Sequence, residues 1–142
     1  MANKAADLDS LVRLRRWSVD ERRRELAALI AREEQLIAYG VELEKQLVRE
    51  GEVAKANPTS AGFMFGPFAE DHRKRRERLA VTLKAVRAEI EDARERLAAA
   101  YRERKTMEAV QEGRVKRERA EADRLEQAAL DEVAQNQHLR QA

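Results

Sequence analysis

The chain has no cysteine, which excludes disulfides and thiolate metal sites. It has only two prolines and five glycines in 142 residues, so there are few points at which a helix must stop. Aromatic residues make up 4%, too few to fill a broad globular core. No apolar run approaches the roughly 18 residues that a membrane span needs, so no direct membrane insertion is expected. The start, MANKAADLDS, lacks the apolar centre of a secretory leader, and the expected compartment is the cytoplasm. There is no excess of either charge: 29 Lys and Arg face 27 Asp and Glu, a net of +2. Basic character is therefore local, not global, and the leading reading has no nucleic acid as a partner. What is present is helix-forming sequence. Alanine, glutamate, lysine, arginine and leucine together supply 88 of the 142 residues, the composition of a long helix or coiled coil.

One stretch interrupts this. Gly51 to Phe68 reads GEVAKANPTSAGFMFGPF and holds both prolines, three glycines and all three phenylalanines. Two long helices with one break bury their apolar residues most simply by folding back on each other. The expected fold is all-α: a long antiparallel two-helix coiled-coil hairpin with a projecting C-terminal helical tail. It is read as a single domain over 1–142, with helix 1 over about 8–55, the tip over about 56–67 and helix 2 over about 68–138.

Helix 1 has Asp7, Asp9 or Ser10 available to cap its start. A 4-3 spacing then runs through Leu8, Val12, Arg15, Val19, Arg22, Leu26, Leu29, Glu33, Leu36, Gly40, Leu43 and Leu47, a coiled-coil seam. At about 1.5 Å per residue, Leu8 to Glu50 spans about 65 Å. At the tip, Pro58 pushes Asn57 out of helical geometry, and Gly62 and Gly66 permit positive φ. Pro67 suits the first turn of helix 2, where Glu70 and Asp71 complement the positive helix end. The second seam reads Leu79, Leu83, Val86, Ile90, Ala93, Leu97, Ala100, Arg104 and Met107, and turns polar at Gln111, Arg114, Glu118 and Glu121. With the tip centred near Ala61, paired residue numbers sum to about 123, which sets Arg15 against Glu108. Asp20–Arg24, Asp71–Arg75, Asp92–Arg96 and Glu112–Lys116 have the spacing for weak helical ion pairs, roughly 0.2–0.5 kcal/mol each.

No catalytic constellation emerges, and the chain reads as a non-enzyme without cofactor or metal. His72 and His138 lie among arginines and polar residues and read as solvated surface histidines. Two basic clusters stand out: Val12–Arg24, VRLRRWSVDERRR, and His72–Arg78, HRKRRER. Each is either a solvated helix face or a docking surface for an acidic partner, a task that suits the planar guanidinium fork. Trp17 falls between seam positions and should face outward among Arg13, Leu14 and Arg24, as interface anchors do. Phe63, Met64, Phe65 and Phe68 crowd the tip, either as a plug for the open end or as a knob that contacts a partner. Tyr39 and Tyr101 flank the seam and read as packing residues.

The opening LVRLRRWSVDERRR, the leucine seam, the Pro/Gly/Phe tip, EIEDARERLAAAYRERKTMEAVQE and the charged tail ending EQAALDEVA together resemble the FliJ-type flagellar type III export proteins. That resemblance implies an antiparallel coiled coil like the central stalk of rotary ATPases. It implies as partners the hexameric flagellar export ATPase, the export gate membrane protein and export chaperones, with a location in the cytoplasm, peripheral at the flagellar base. Carried onto this chain, the N-terminal residues Arg13, Arg15, Arg16, Arg23 and Arg24, with the facing C-terminal helix, would meet the ATPase, and Trp17, read above as an outward anchor, would join that contact. The exposed middle and the tip residues Phe63, Phe65 and Phe68 would meet the gate or chaperones.

Two other classes remain open from sequence. Leu29, Leu36 and Leu43 recur every seven residues after a basic stretch, the layout of a DNA-binding basic zipper. Asp20 and Glu21 break that basic region, and a parallel dimer would leave the second seam unused. A generic coiled-coil scaffold or chaperone differs from the stalk only in its partner.

Overall fold

The computed structural model describes residues 2–141, with side chains from Lys4 onward. It contains two helices, α1 (Ala2–Ala56) and α2 (Gly62–Gln141), packed against each other. The chain divides into two compact units, one of residues 20–98 and the other of residues 1–19 with 99–142.

In the 20–98 unit the two helices run antiparallel. The 4-3 positions of α1 turn inward because a helix repeats its face every three to four residues: Leu36 and Leu43 are buried, and Arg22, Leu26, Leu29, Glu33, Gly40 and Leu47 are half-buried. Leu36, Val86 and Ile90 form the core cluster, with Leu26, Leu29, Ile30, Leu79 and Leu83 packed on it. Each such leucine or valine removed from water contributes about 1.5–3 kcal/mol at full burial. Glu44–Arg76 and Glu33–Arg87 bridge the helices at 3.2 and 3.4 Å, and Glu25–Arg96 at 3.9 Å. The zipper leucines are thus occupied by α2, which removes the seam that a parallel DNA-binding dimer would need.

The unit of residues 1–19 and 99–142 repeats the logic with smaller residues. Val12, Val19 and Ala100 are buried, while Leu8, Arg15, Arg104 and Met107 are half-buried. Half-burial continues to Arg114, and every residue from Val115 to Gln141 is exposed. The helix persists through this tail although no seam supports it, since its alanine, glutamate, arginine and leucine content favours helix.

Several local expectations are corrected. Helix α1 already begins at Ala2, so Asp7, Asp9 and Ser10 lie inside it and cap nothing. Helix α2 begins at Gly62, not near residue 68, and the connection is only 57–61. The Asn57 carbonyl accepts from the N–H groups of both Ala61 and Gly62 at 3.0 Å, which closes the turn early. No glycine has positive φ. Pro67 lies inside α2, and Glu70 and Asp71 stand too far in to meet the helix end. The lost backbone bond at Pro67 falls to the Phe63 carbonyl, in a residue 83% exposed, where water can take it. What favours the early start is burial: helical spacing puts Phe65, Phe68 and His72 on one face.

Candidate partner-docking surfaces

Arg13, Arg15, Arg16 and Trp17 belong to the unit of residues 1–19 and 99–142. The α1 seam there contains arginine, so cross-helix ion pairs supplement a thin apolar contact. Arg15 donates to Glu103 at 2.8 Å and Arg16 to Glu108 at 3.0 Å, while Gln111 donates to Asp9 at 2.6 Å. The expected Arg15–Glu108 pair is therefore replaced: Arg15 reaches one turn less far along α2, and its neighbour takes Glu108. The Arg104 guanidinium lies over the Tyr101 ring at 4.8 Å, a favourable charge–quadrupole contact. The Nε atoms of Arg15 and Arg104 are buried without a hydrogen-bond partner. Arg15 ties α1 to α2, whereas the Arg104 Nε lies 3.8 Å from Glu108 on its own helix; each buried Nε lacks a hydrogen bond and carries a desolvation cost.

On the outward face of α1 the chemistry is different. Trp17 is 59% exposed and Leu14 is 52% exposed. Arg13 is exposed, and among the described residues it has no carboxylate partner. A tryptophan and a leucine i,i+3 apart, rimmed by an arginine with an uncommitted fork, can accept an apolar ridge that carries a carboxylate.

Arg23 and Arg24 fall in the 20–98 unit. Arg24 pairs with Glu21, and Arg23 with Asp20 at 3.7 Å; the expected Asp20–Arg24 pair does not form. Asp71–Arg75 and Glu112–Lys116 do, at 3.0 and 3.4 Å. Arg96 turns to Glu25 rather than Asp92. In the second basic cluster Arg73 bridges Glu70 and Glu77, at 2.7 and 2.8 Å. The hydrogen bond and charge of Arg73 hold the Glu70 carboxyl below its ordinary range.

The tip separates its aromatics. Phe65 and Phe68 are half-buried with ring centroids 6.3 Å apart, and Phe68 lies 6.3 Å from the His72 ring. Phe63 and Met64 are exposed, at 83% and 64%. His72 corrects the expectation of a solvated histidine. It is 4% exposed, and its Nε2 is 3.0 Å from the Leu43 carbonyl, which accepts from it when the proton sits on that nitrogen. Its place in the seam was legible: stepping back seven residues from Leu79 reaches His72. His138 is exposed, and Tyr39 is 47% exposed. Among the described residues no cluster of three or more metal-binding side chains occurs, and no helix is long and apolar enough to cross a membrane.

A family model described as FliJ, Flagellar FliJ protein, matches residues 4–142 of the chain. No curated protein and no solved structure matches it.

Proposed function

The chain belongs to the FliJ family of flagellar proteins, which gives it a role related to flagellar protein export, and we propose that within this role it is a non-enzymatic stalk and adaptor. In this proposal the unit of residues 1–19 and 99–142 inserts into or contacts the hexameric export ATPase. The 20–98 unit meets the export gate membrane protein and export chaperones, with Phe63 as its exposed tip contact and Phe65 and Phe68 supporting it from below. The protein works in the cytoplasm, peripheral at the flagellar base.

The supporting observation is the outward face around Trp17. An exposed tryptophan beside Leu14 and an arginine with no carboxylate partner among the described residues is costly to leave in water unless something covers it. Arg13 and Trp17 are the direct contacts. Arg15 and Arg16 share their forks with Glu103 and Glu108, so they set the spacing of the two helices and face a partner with what remains. Arg23 and Arg24 are assigned to the rim of the contact.

The test is ATPase turnover and ring formation of the cognate export ATPase with and without this protein. Promotion of both is expected, weakened about tenfold or more by Trp17→Ala. Arg13→Glu should weaken it with a steep dependence on salt. Helix content by circular dichroism should be unchanged in both variants, because neither side chain is buried. No stimulation at saturating protein, or stimulation untouched by both substitutions, removes the assignment.

A further inference from the structure

One face of α2 in the 20–98 unit carries an ordered run of charges of which only Arg96 pairs with α1. Taken at 4-3 spacing, it reads Asp71, Arg75, Arg78, Thr82, Ala85, Glu89, Asp92, Arg96. All eight residues are exposed. This face borders a groove between α1 and α2 whose two ends differ in sign. Around Arg75 and Arg78 the groove measures about 460 Å³ and is completed by Arg32 of α1. Around Glu89 and Asp92 it measures about 390 Å³ and is completed by Glu25 of α1. Among the described residues Arg78, Glu89 and Asp92 make no ion pair; the Arg78 Nε donates only to the Lys74 carbonyl at 3.4 Å.

We infer that this face docks on the same face of a second copy of the chain, antiparallel, about a two-fold axis between Thr82 and Ala85. The order of residues is self-complementary under that operation. Asp71 meets Arg96 of the second copy, Arg75 meets its Asp92, Arg78 meets its Glu89, and Thr82 meets its Ala85. Symmetry repeats each pair on the other side of the axis, which is the condition for an isologous interface. The small residues fall at the axis, where two backbones must approach most closely. The Thr82 hydroxyl is already satisfied by the Arg78 carbonyl at 2.9 Å, so it adds no unpaired polar group there. On the flank away from the groove, Lys74 comes opposite Glu95 of the second copy and Val81 opposite its Ala88. Val81 is 70% exposed, and Lys74 and Glu95 make no ion pair among the described residues.

Two of the intermolecular pairs replace pairs within the chain. Arg75 is held by Asp71 at 3.0 Å, and Arg96 lies 3.9 Å from Glu25. The contact is therefore weak, with Kd in the range of about 10–100 µM. It is also sensitive to salt, since exposed pairs are screened once the Debye length falls to about 3 Å near 1 M.

The experiment is sedimentation velocity with light scattering on the full chain and two charge-reversed variants. Variant A, Arg75→Asp with Arg78→Glu, makes the central face wholly acidic. Variant B, Glu89→Arg with Asp92→Arg, makes it wholly basic. The wild type should dimerise at low salt and dissociate at about 1 M salt. Each variant alone should associate about tenfold or more weakly, and an equimolar mixture of A and B should dimerise again. Circular dichroism confirms that each variant stays helical. A wild type that stays monomeric at about 200 µM in low salt overturns the inference. So does dimerisation that survives in A or B alone, which would put the contact on another surface such as the exposed tail. A mixture of A and B that fails to associate would do the same.

Discussion

Gly40 and Gly113 are both interior helical glycines without positive φ, so replacing each by alanine separates helix propensity from packing. The propensity gain is about 0.8–1 kcal/mol in either case. At Gly113 an added Cβ meets nothing within 4 Å, and Gly113→Ala should gain nearly the whole amount. At Gly40 the Cβ would stand 3.0 Å from Cδ2 of Leu79. Carbon atoms rest at about 3.5–4.0 Å, so Leu79 must retreat by about half an ångström. It is half-buried, and its methyl can turn toward the groove at an off-rotamer cost of about 0.5–1.5 kcal/mol. Gly40→Ala therefore lands between a loss of about 0.7 and a gain of about 0.5 kcal/mol, below Gly113→Ala by about 0.5–1.5 kcal/mol.

A double variant checks the cause. Leu79→Ala alone should cost about 2 kcal/mol, at the low end for a leucine because the side chain is only partly buried. In that background Gly40→Ala should recover the full propensity gain, a coupling of the size seen for residues in contact. The assay is urea unfolding followed by far-UV circular dichroism, comparing midpoints at unchanged slope. A Gly40→Ala gain equal to that of Gly113→Ala in the wild-type background would refute the close approach of α1 and α2 at this layer. Absence of coupling in the double variant would refute Leu79 as the obstacle.

Further outcomes follow from other layers. Arg15→Leu combined with Arg104→Leu should stabilise the chain by about 1–2 kcal/mol. It removes two buried Nε atoms without hydrogen bonds, worth about 1–3 kcal/mol each, against the Arg15–Glu103 and Arg104–Glu108 ion pairs, worth at most about 1 each, and a ring contact worth about 0.5–1; a lower urea midpoint would contradict this. His72→Ala should cost about 2–3 kcal/mol, because it opens a cavity beside Phe68 and deletes the bond to Leu43. Surface-like tolerance of that change in the same assay would place His72 outside the core. On acidification, the carboxyls of Glu42, Glu70 and Glu121 matter, since each is held below 4.5 by hydrogen bonding to Arg49, Arg73 and Arg124 respectively. A depressed folded-state value contributes stability above the unfolded value and loses it as pH falls through the folded one. A thermal-melting series should therefore be flat down to about pH 5 and decline modestly below about 4.5; rising stability on acidification would contradict the sign.

The two long helices, the inward positions and the point at which α2 loses its seam were all legible, because they rest on local propensity and on a spacing of three to four. None of the twelve α1 seam positions from Leu8 to Leu47 is exposed, and exposure becomes continuous just after Arg114. The register was legible only to about a turn. Glu44–Arg76 and Glu33–Arg87 pair at a sum of 120 rather than about 123, and Arg15 consequently takes Glu103. Side-chain reach decides such pairs, and reach depends on distances between helices that no spacing contains.

Trp17 pointing outward was legible from its place between seam positions, as was the pairing potential of the basic clusters. Which arginines are committed was not. Arg16, Arg24 and Arg73 find carboxylates whereas, among the described residues, Arg13 and Arg78 do not, an outcome set by rotamers and by neighbouring side chains. The tip misled for a similar reason. Proline and glycine mark where a helix is easily broken, but burial of Phe65 and Phe68 and the two N–H bonds to the Asn57 carbonyl favour starting α2 five residues before Pro67. Sequence alone thus determined that this chain is helical, hairpin-forming and apolar along one narrow stripe. The tertiary structure decided the burial of His72, the choice of ion-pair partners and the charge-bearing face left without one, because those depend on which groups the fold brings within a few ångströms.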